Sequence, residues 1–202
     1  MELARRAGVD AAPSRLLPCG SRRALLVERF DVDMTSGRRC HMISMQTLLG
    51  AEGYYEVAYA DIADVIRRVS GDPRRDLTRL FYQLIFNVMV GNTDDHLKNF
   101  CMLFDGQGWR LSPAFDLVPN IGMNREHVLR IGPYPYVEDR RVLVQEAKHF
   151  GIKRQSKADE IIDAVMAAVS EWEKVFVEFG VPQRDIAGIG RDIEGRLAKI
   201  RG

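Results

Sequence analysis

The stretch from Asp72 to Gly91 sets the centre of whatever this chain folds into. Asp72 is suited to cap a helix whose first position is filled by Pro73. Leu77, Leu80, Phe81, Leu84, Ile85 and Val88 then recur at helical spacing, and Phe86, Met89 and Val90 fill the other faces. A helix that is apolar on most faces in its second half is buried there. It stops at Gly91. The chain has 202 residues, 46% of them hydrophobic. A chain of that size can bury roughly 70% of its unfolded surface without disulfides or a structural metal. It reads as one soluble globular domain, or as one large lobe plus a fragment of another.

The flanks are expected to be mostly helical. Before residue 41, a helix end over Met1 to Ala7 is followed by extended segments at Arg15 to Pro18 and Arg23 to Phe30. Ala24-Leu25-Leu26-Val27 is fit for a buried strand. Asp31 to Arg38 reads as a turn. A short helix near Ile43 to Leu49 ends at Gly50, and Ile62, Val65, Ile66 and Val69 mark another. Asn99 to Phe104 and Trp109 to Leu111 read as strands joined by the turn Asp105-Gly106-Gln107-Gly108. Val142 to Phe150 is helical. Ser156 with Asp159 resembles a capping box for a helix running through Ile162, Trp172 and Phe179 to Gly180. A last helix carries Ile186, Ile189, Ile193, Leu197 and Ile200. The fold class expected is α+β, mostly helical.

A net charge of +1 gives no electrostatic argument for nucleic acid or an anionic membrane. Cys19, Cys40 and Cys101 show no C-x-x-C spacing, so neither zinc nor a disulfide framework is indicated. Reduced cytosolic thiols, and so a cytoplasmic location, are the simplest reading. The start lacks the apolar run of a signal peptide, and the longest apolar run is too short to span a bilayer.

The chemistry concentrates in Gly91-Asn92-Thr93-Asp94-Asp95-His96-Leu97-Lys98-Asn99-Phe100, between the buried helix and the hairpin. So many polar groups are costly unless they serve a ligand or one another. Asp94 and Asn99 are five residues apart. That equals the spacing of a kinase catalytic loop, where an Asp accepts the substrate hydroxyl proton and an Asn holds magnesium. Seventeen residues past Asn99 comes Phe115-Asp116-Leu117, in the place of the kinase magnesium Asp. A hairpin between Asn99 and Asp116 would return both to one point. The alternative is an Asx-rich turn whose side chains cap nearby backbone, a task suited to Asn92 and Asp95.

These two motifs, Gly91 to Phe100 and Gly108-Trp-Arg-Leu-Ser-Pro-Ala-Phe-Asp-Leu-Val-Pro119, resemble those of the HipA-type serine/threonine kinases, toxins of bacterial toxin–antitoxin pairs. Leu26-Val27-Glu28-Arg29-Phe30-Asp31 resembles that family's hinge. The resemblance implies the large C-terminal lobe of a kinase-like fold, with ATP and magnesium as cofactors. It implies Asp94 as catalytic base, Asn99 and Asp116 as magnesium ligands, His96 as the residue ordering the catalytic loop, and Lys98 near the transferred phosphate. It places Glu28 and Phe30 as backbone partners of adenine and Asp31 at the ribose. Phe115 is expected against the helical core. As partners it implies a protein substrate such as an aminoacyl-tRNA synthetase, and a DNA-binding antitoxin.

Such kinases carry a Gly-rich loop and a strand lysine ahead of the hinge. Here no lysine occurs before Lys98, and no Gly cluster precedes Arg23. Residues 1–31 therefore read as the hinge with a remnant of an N-terminal lobe, and 32–202 as the helical lobe. Two functions stay open. One is a kinase lobe that works with a separate N-terminal lobe. The other is a non-catalytic remnant that binds a partner.

Overall fold

The computed structural model describes every residue except Ser21, Met34, Thr35, Tyr54, Ile121, Met123 and Asn124. Among the described residues, the expected central helix is α4 (Pro73–Val90), with the Asp72 carboxylate accepting from Arg75 N–H at 3.3 Å. Helix α3 (Tyr59–Val69) lies beside it, and α6 (Gln155–Val169) and α8 (Gln183–Arg201) pack against it as well. Leu80, Phe81, Leu84, Ile85 and Met89 are the fully buried centre of one continuous core. The architecture is α+β and mostly helical, as expected.

Short elements surround this frame. They are α1 (Glu2–Arg6), β1 (Ser14–Cys19), β2 (Arg22–Val27), β3 (Met42–Ser44), α2 (Met45–Leu49), β4 (Cys101–Phe104), β5 (Trp109–Leu111), α5 (Arg140–Glu146) and α7 (Trp172–Glu178). β3, β4 and β5 form an antiparallel sheet in that order. β1 and β2 form a separate hairpin with Leu16 opposite Leu25. Leu3, Ala4, Ala7, Val9 and Ala11 belong to the main core, so the first residues pack on the helical body.

Four local expectations change. Ala24 to Val27 is a strand, but not a buried one: Leu25 is 54% and Val27 41% exposed. A two-stranded ribbon has no second layer to cover both of its faces. The helix expected from Ser156 to Phe179 is two helices, α6 and α7, broken after Val169. Ser156 and Asp159 make no capping box; Arg154 precedes the helix without a side-chain cap, and Asp159 instead accepts from Arg140 Nε at 2.8 Å. The first of the expected strands begins at Cys101, because Leu97–Asn99 is one 3-10 turn. The turn expected at Asp31 to Arg38 lies partly outside the described residues, but its ends are joined by Cys40 N–H donating to Asp31 O at 2.8 Å.

Two side chains of α4 place the hairpin β4–β5, and with it the chain leading to Asp116. Asp76 is fully buried and accepts from Ser70 Oγ at 2.7 Å and from Leu111 N–H at 2.8 Å. Arg79 donates to Leu111 O at 2.6 Å and to Ser112 O at 3.2 Å. A buried carboxylate with its donors in place fixes what it touches, because leaving it unpaired is costly.

Candidate functional site

Helix α4 ends at Gly91, whose φ of 71° is the left-handed geometry that favours glycine at a helix stop. From there the polar loop is tied down from below. Asn92 Nδ2 donates to Asn87 Oδ1 at 3.1 Å, and Asn87 Nδ2 donates to Tyr59 Oη at 3.0 Å. Tyr59 Oη donates to Asp95 Oδ2 at 2.6 Å. The same carboxylate meets His127 Nδ1 at 2.8 Å and accepts Val128 N–H at 3.0 Å and Leu129 N–H at 3.3 Å. Burial, and then the neighbouring Asp95 carboxylate, hold the Tyr59 phenol well above its ordinary pKa, so it stays an O–H donor. Leu97 N–H donates to Tyr55 Oη at 3.1 Å.

This scaffold turns Asp94 outward. Its side chain is 70% exposed, between the buried Thr93 and Asp95. Asn99, on the 3-10 turn, is buried and directs its amide nitrogen to two partners. Nδ2 donates to Asp94 O at 3.2 Å and to Asp116 Oδ2 at 3.2 Å. One amide therefore joins the loop to the segment beyond the hairpin. Asp116 has φ 55°, which makes it unique among the described non-glycine residues in having positive φ. Such a backbone is uncommon outside glycine, and Asp is one of the residues that tolerates it.

The remaining expected residues fall at the edges. His96 Nε2 lies 3.9 Å from Asp94 Oδ1, too far for a hydrogen bond. Lys98 is exposed on the same turn. Glu28, Phe30, Asp31, Phe115 and Asp116 line one cavity of about 460 Å³. There the Phe30 and Phe115 rings meet at 5.4 Å, so Phe115 faces Phe30 and is only half-buried, not packed into the helical core. Glu28 N–H donates to Pro13 O at 2.8 Å. Pro13 has no N–H to return, which leaves the Glu28 carbonyl without that ladder donor. Asp31 accepts Arg29 Nε at 2.8 Å and Nη2 at 2.5 Å, and the Arg29 hydrogen bonds hold its carboxyl below the usual range.

What sequence reasoning missed is the support. Asp76, Arg79 and the network around Asp95 have partners about 30 residues away in the chain. The density of polar residues beside a buried helix was their one signal.

The model of the HipA-like C-terminal domain family matches residues 1–172. The chain is 34% identical over 144 residues to Y4mE of Sinorhizobium fredii (strain NBRC 101917 / NGR234), which bears the name of a kinase; the match covers 65% of this chain and 34% of Y4mE. Among solved structures it is similar to a Shewanella oneidensis MR-1 complex of HipA, HipB and operator DNA. The TM-score there is 0.76 at 19% identity, over 98% of this chain and 53% of the other. It is also similar to the Helicobacter pylori proinflammatory kinase CtkA, with TM-score 0.60 at 10% identity, over 98% of this chain and 77% of the other. At these identities the structures speak for the fold alone, and that fold is kinase-like. The chain spans about a third of Y4mE and about half of the Shewanella chain. With residues 1–172 matched by its model, the chain belongs to the HipA-like C-terminal domain family.

Proposed function

We propose that the chain is the large lobe of a HipA-like serine/threonine kinase and transfers the ATP γ-phosphate to a hydroxyl on a protein. The observation that carries this reading is the Asn99 amide, which touches both Asp94 O and Asp116 Oδ2. Asp94, outward and unencumbered by the buried network, would accept the proton of the attacking hydroxyl. Lys98 would stand beside the transferred phosphate, and His96 would limit the swing of Asp94.

Asn99 and Asp116 would hold magnesium. Among the described residues no three or more His, Cys, Asp or Glu side chains converge into a cage. One carboxylate and one amide oxygen suit magnesium, which takes few protein ligands and completes its shell with water and nucleotide phosphates. When bound, it would neutralise charge on the phosphates. Adenine would occupy the cavity of Glu28, Phe30 and Phe115, with the Glu28 carbonyl as acceptor. Asp31 would reach the ribose while shared with Arg29.

The substrate and the partners belong to the same proposal. The Shewanella relative is solved with HipB and operator DNA, which supports a DNA-binding antitoxin as partner. By family likeness an aminoacyl-tRNA synthetase is a candidate substrate. Among the described residues no helix is long and apolar enough to cross a membrane.

These 202 residues contain no lysine before Lys98 and no Gly cluster before Arg23. For these residues taken alone a second reading is a module that binds a partner without catalysis. Calorimetry of the chain with magnesium and ATP examines it. Charge-assisted hydrogen bonds are worth about 1.5–3 kcal/mol each. Lacking two or three costs roughly 4–6 kcal/mol, so a micromolar site becomes millimolar. The kinase reading predicts that joining the amino-terminal half of Y4mE restores micromolar, magnesium-dependent binding. A joined protein that still ignores ATP would favour the non-catalytic, partner-binding reading.

A further inference from the structure

Helix α8 packs against α4 and meets its last turn. Its Arg196 is 2% exposed, and Nε donates to Asp192 Oδ2 at 2.8 Å, one turn back. Arg196 Nη1 lies 3.4 Å from Val88 O. Val88 is in the last turn of α4, where carbonyls lack intrahelical donors and the negative end of the helix dipole is concentrated. α4 has no basic residue of its own in that turn. The pair also presses on Gly91, where a Cβ would lie 2.8 Å from both Arg196 Nε and Asp192 Oδ2.

The same pair touches the other arm of the site. Gly91 O accepts Asn120 N–H at 2.8 Å, four residues past Asp116. Asp192 Oδ1 faces Arg125 Nη2 at 3.4 Å, and Arg125 Nη1 lies 3.6 Å from Glu138 Oε1, which Lys199 of α8 also binds. Both Asp192 and Arg196 lie beyond the family-matched residues 1–172.

We infer that Asp192 and Arg196 are positioning residues of the phosphoryl-transfer site, a role that rests on the function proposed above. Neither touches reacting atoms. They fix Gly91, the residue from which the loop leaves α4, and so set Asp94 and Asn99 against Asp116. A buried guanidinium stripped of its carboxylate is costly, so the pair holds one arrangement and not several. A misplacement of about 1 Å at a reacting group costs on the order of 10²-fold in rate. Residues 28–31 make no contact with the pair, so the adenine contacts proposed there are spared, while binding that depends on magnesium at Asn99 and Asp116 weakens with the rate.

Amide exchange on the whole 202-residue chain tests this without turnover. Arg196→Met should speed exchange at Asn92, Thr93 and Asn120 by about tenfold or more. Arg196→Lys should recover part of the protection. Ile200→Ala, a cavity in the same helix, should lower Tm yet leave those three amides near parental rates. In the chain joined to the amino-terminal half of Y4mE, Arg196→Met should lower kcat about 10²-fold while the affinity for adenosine without magnesium moves less than about threefold. Parental exchange in Arg196→Met, or the same exchange and kcat losses in Ile200→Ala, would overturn the assignment. A joined parental protein without phosphate transfer would contradict the proposed function instead, and the exchange result would still decide the positioning role.

Discussion

The Asn99 amide nitrogen lies 3.2 Å from Asp116 Oδ2, although the hairpin β4–β5 separates the two residues in the chain. That contact follows from two supports. The network under Asp95 fixes the loop that carries Asn99, and Asp76 with Arg79 fixes the strand that leads to Asp116. Each support can be removed separately.

Asp95→Asn should destabilise the protein more than its small change in shape suggests. Asp95 Oδ2 faces Tyr59 and His127, and Oδ1 accepts the Val128 and Leu129 N–H groups. An amide keeps one of those oxygens and turns an NH2 towards donors. Each buried group left without a partner costs about 1–3 kcal/mol. Chemical denaturation should show that loss, and phosphate transfer in the joined protein should fall with it. Parental stability would mean that the network contributes little.

Asp116 separates stability from function. Its φ of 55° costs an ordinary L-residue roughly 1–2 kcal/mol and glycine little. Asp116→Gly should therefore be more stable than Asp116→Ala by about 1 kcal/mol. Both should lose magnesium-dependent nucleotide binding alike, because both lack the carboxylate. Paired melts and titrations check the two statements, and equal stability of the two variants would contradict the first.

Helix α8 carries three internal glycines with different environments. A Cβ at Gly190 would sit 2.0 Å from Trp172 Cη2, whereas at Gly188 and Gly195 it would meet nothing within 4 Å. Glycine inside a helix costs about 0.5–1 kcal/mol relative to alanine. Gly188→Ala and Gly195→Ala should each raise stability by about that amount. Gly190→Ala should lower it by crowding Trp172, whose Nε1 is held by Glu194 at 2.7 Å. Thermal melts of the three variants provide the comparison.

Much of this was legible in the chain itself, for a physical reason. Asp94 and Asn99 share one loop, so their spacing survives in the sequence, and the turn at Asp105 to Gly108 announces the hairpin that returns Asp116. The stripe of α4 and its Asp72–Pro73 start are local signals too. Asp95 was legible only as a capping residue, because its partners Tyr59 and His127 are brought to it by packing alone. Nothing in the sequence singles out Arg196, because Val88 and Gly91 are brought to it by packing alone. The break between α6 and α7 was hidden because the apolar stripe continues through Trp172 and Phe176. The exposure of β2 could not be read at all, since Leu25 to Val27 would suit either side of a covered sheet.

If Asp94 is the base of a phosphoryl-transfer site, the transfer of labelled γ-phosphate from ATP to protein depends on its carboxylate. In the chain joined to the amino-terminal half of Y4mE, the parental protein should label a protein hydroxyl. Asp94→Asn should lower that rate by about 10²–10⁴-fold, the usual contribution of a general base. Nucleotide affinity should stay within about twofold, because hinge and metal ligands are untouched. Parental labelling by Asp94→Asn would contradict the account.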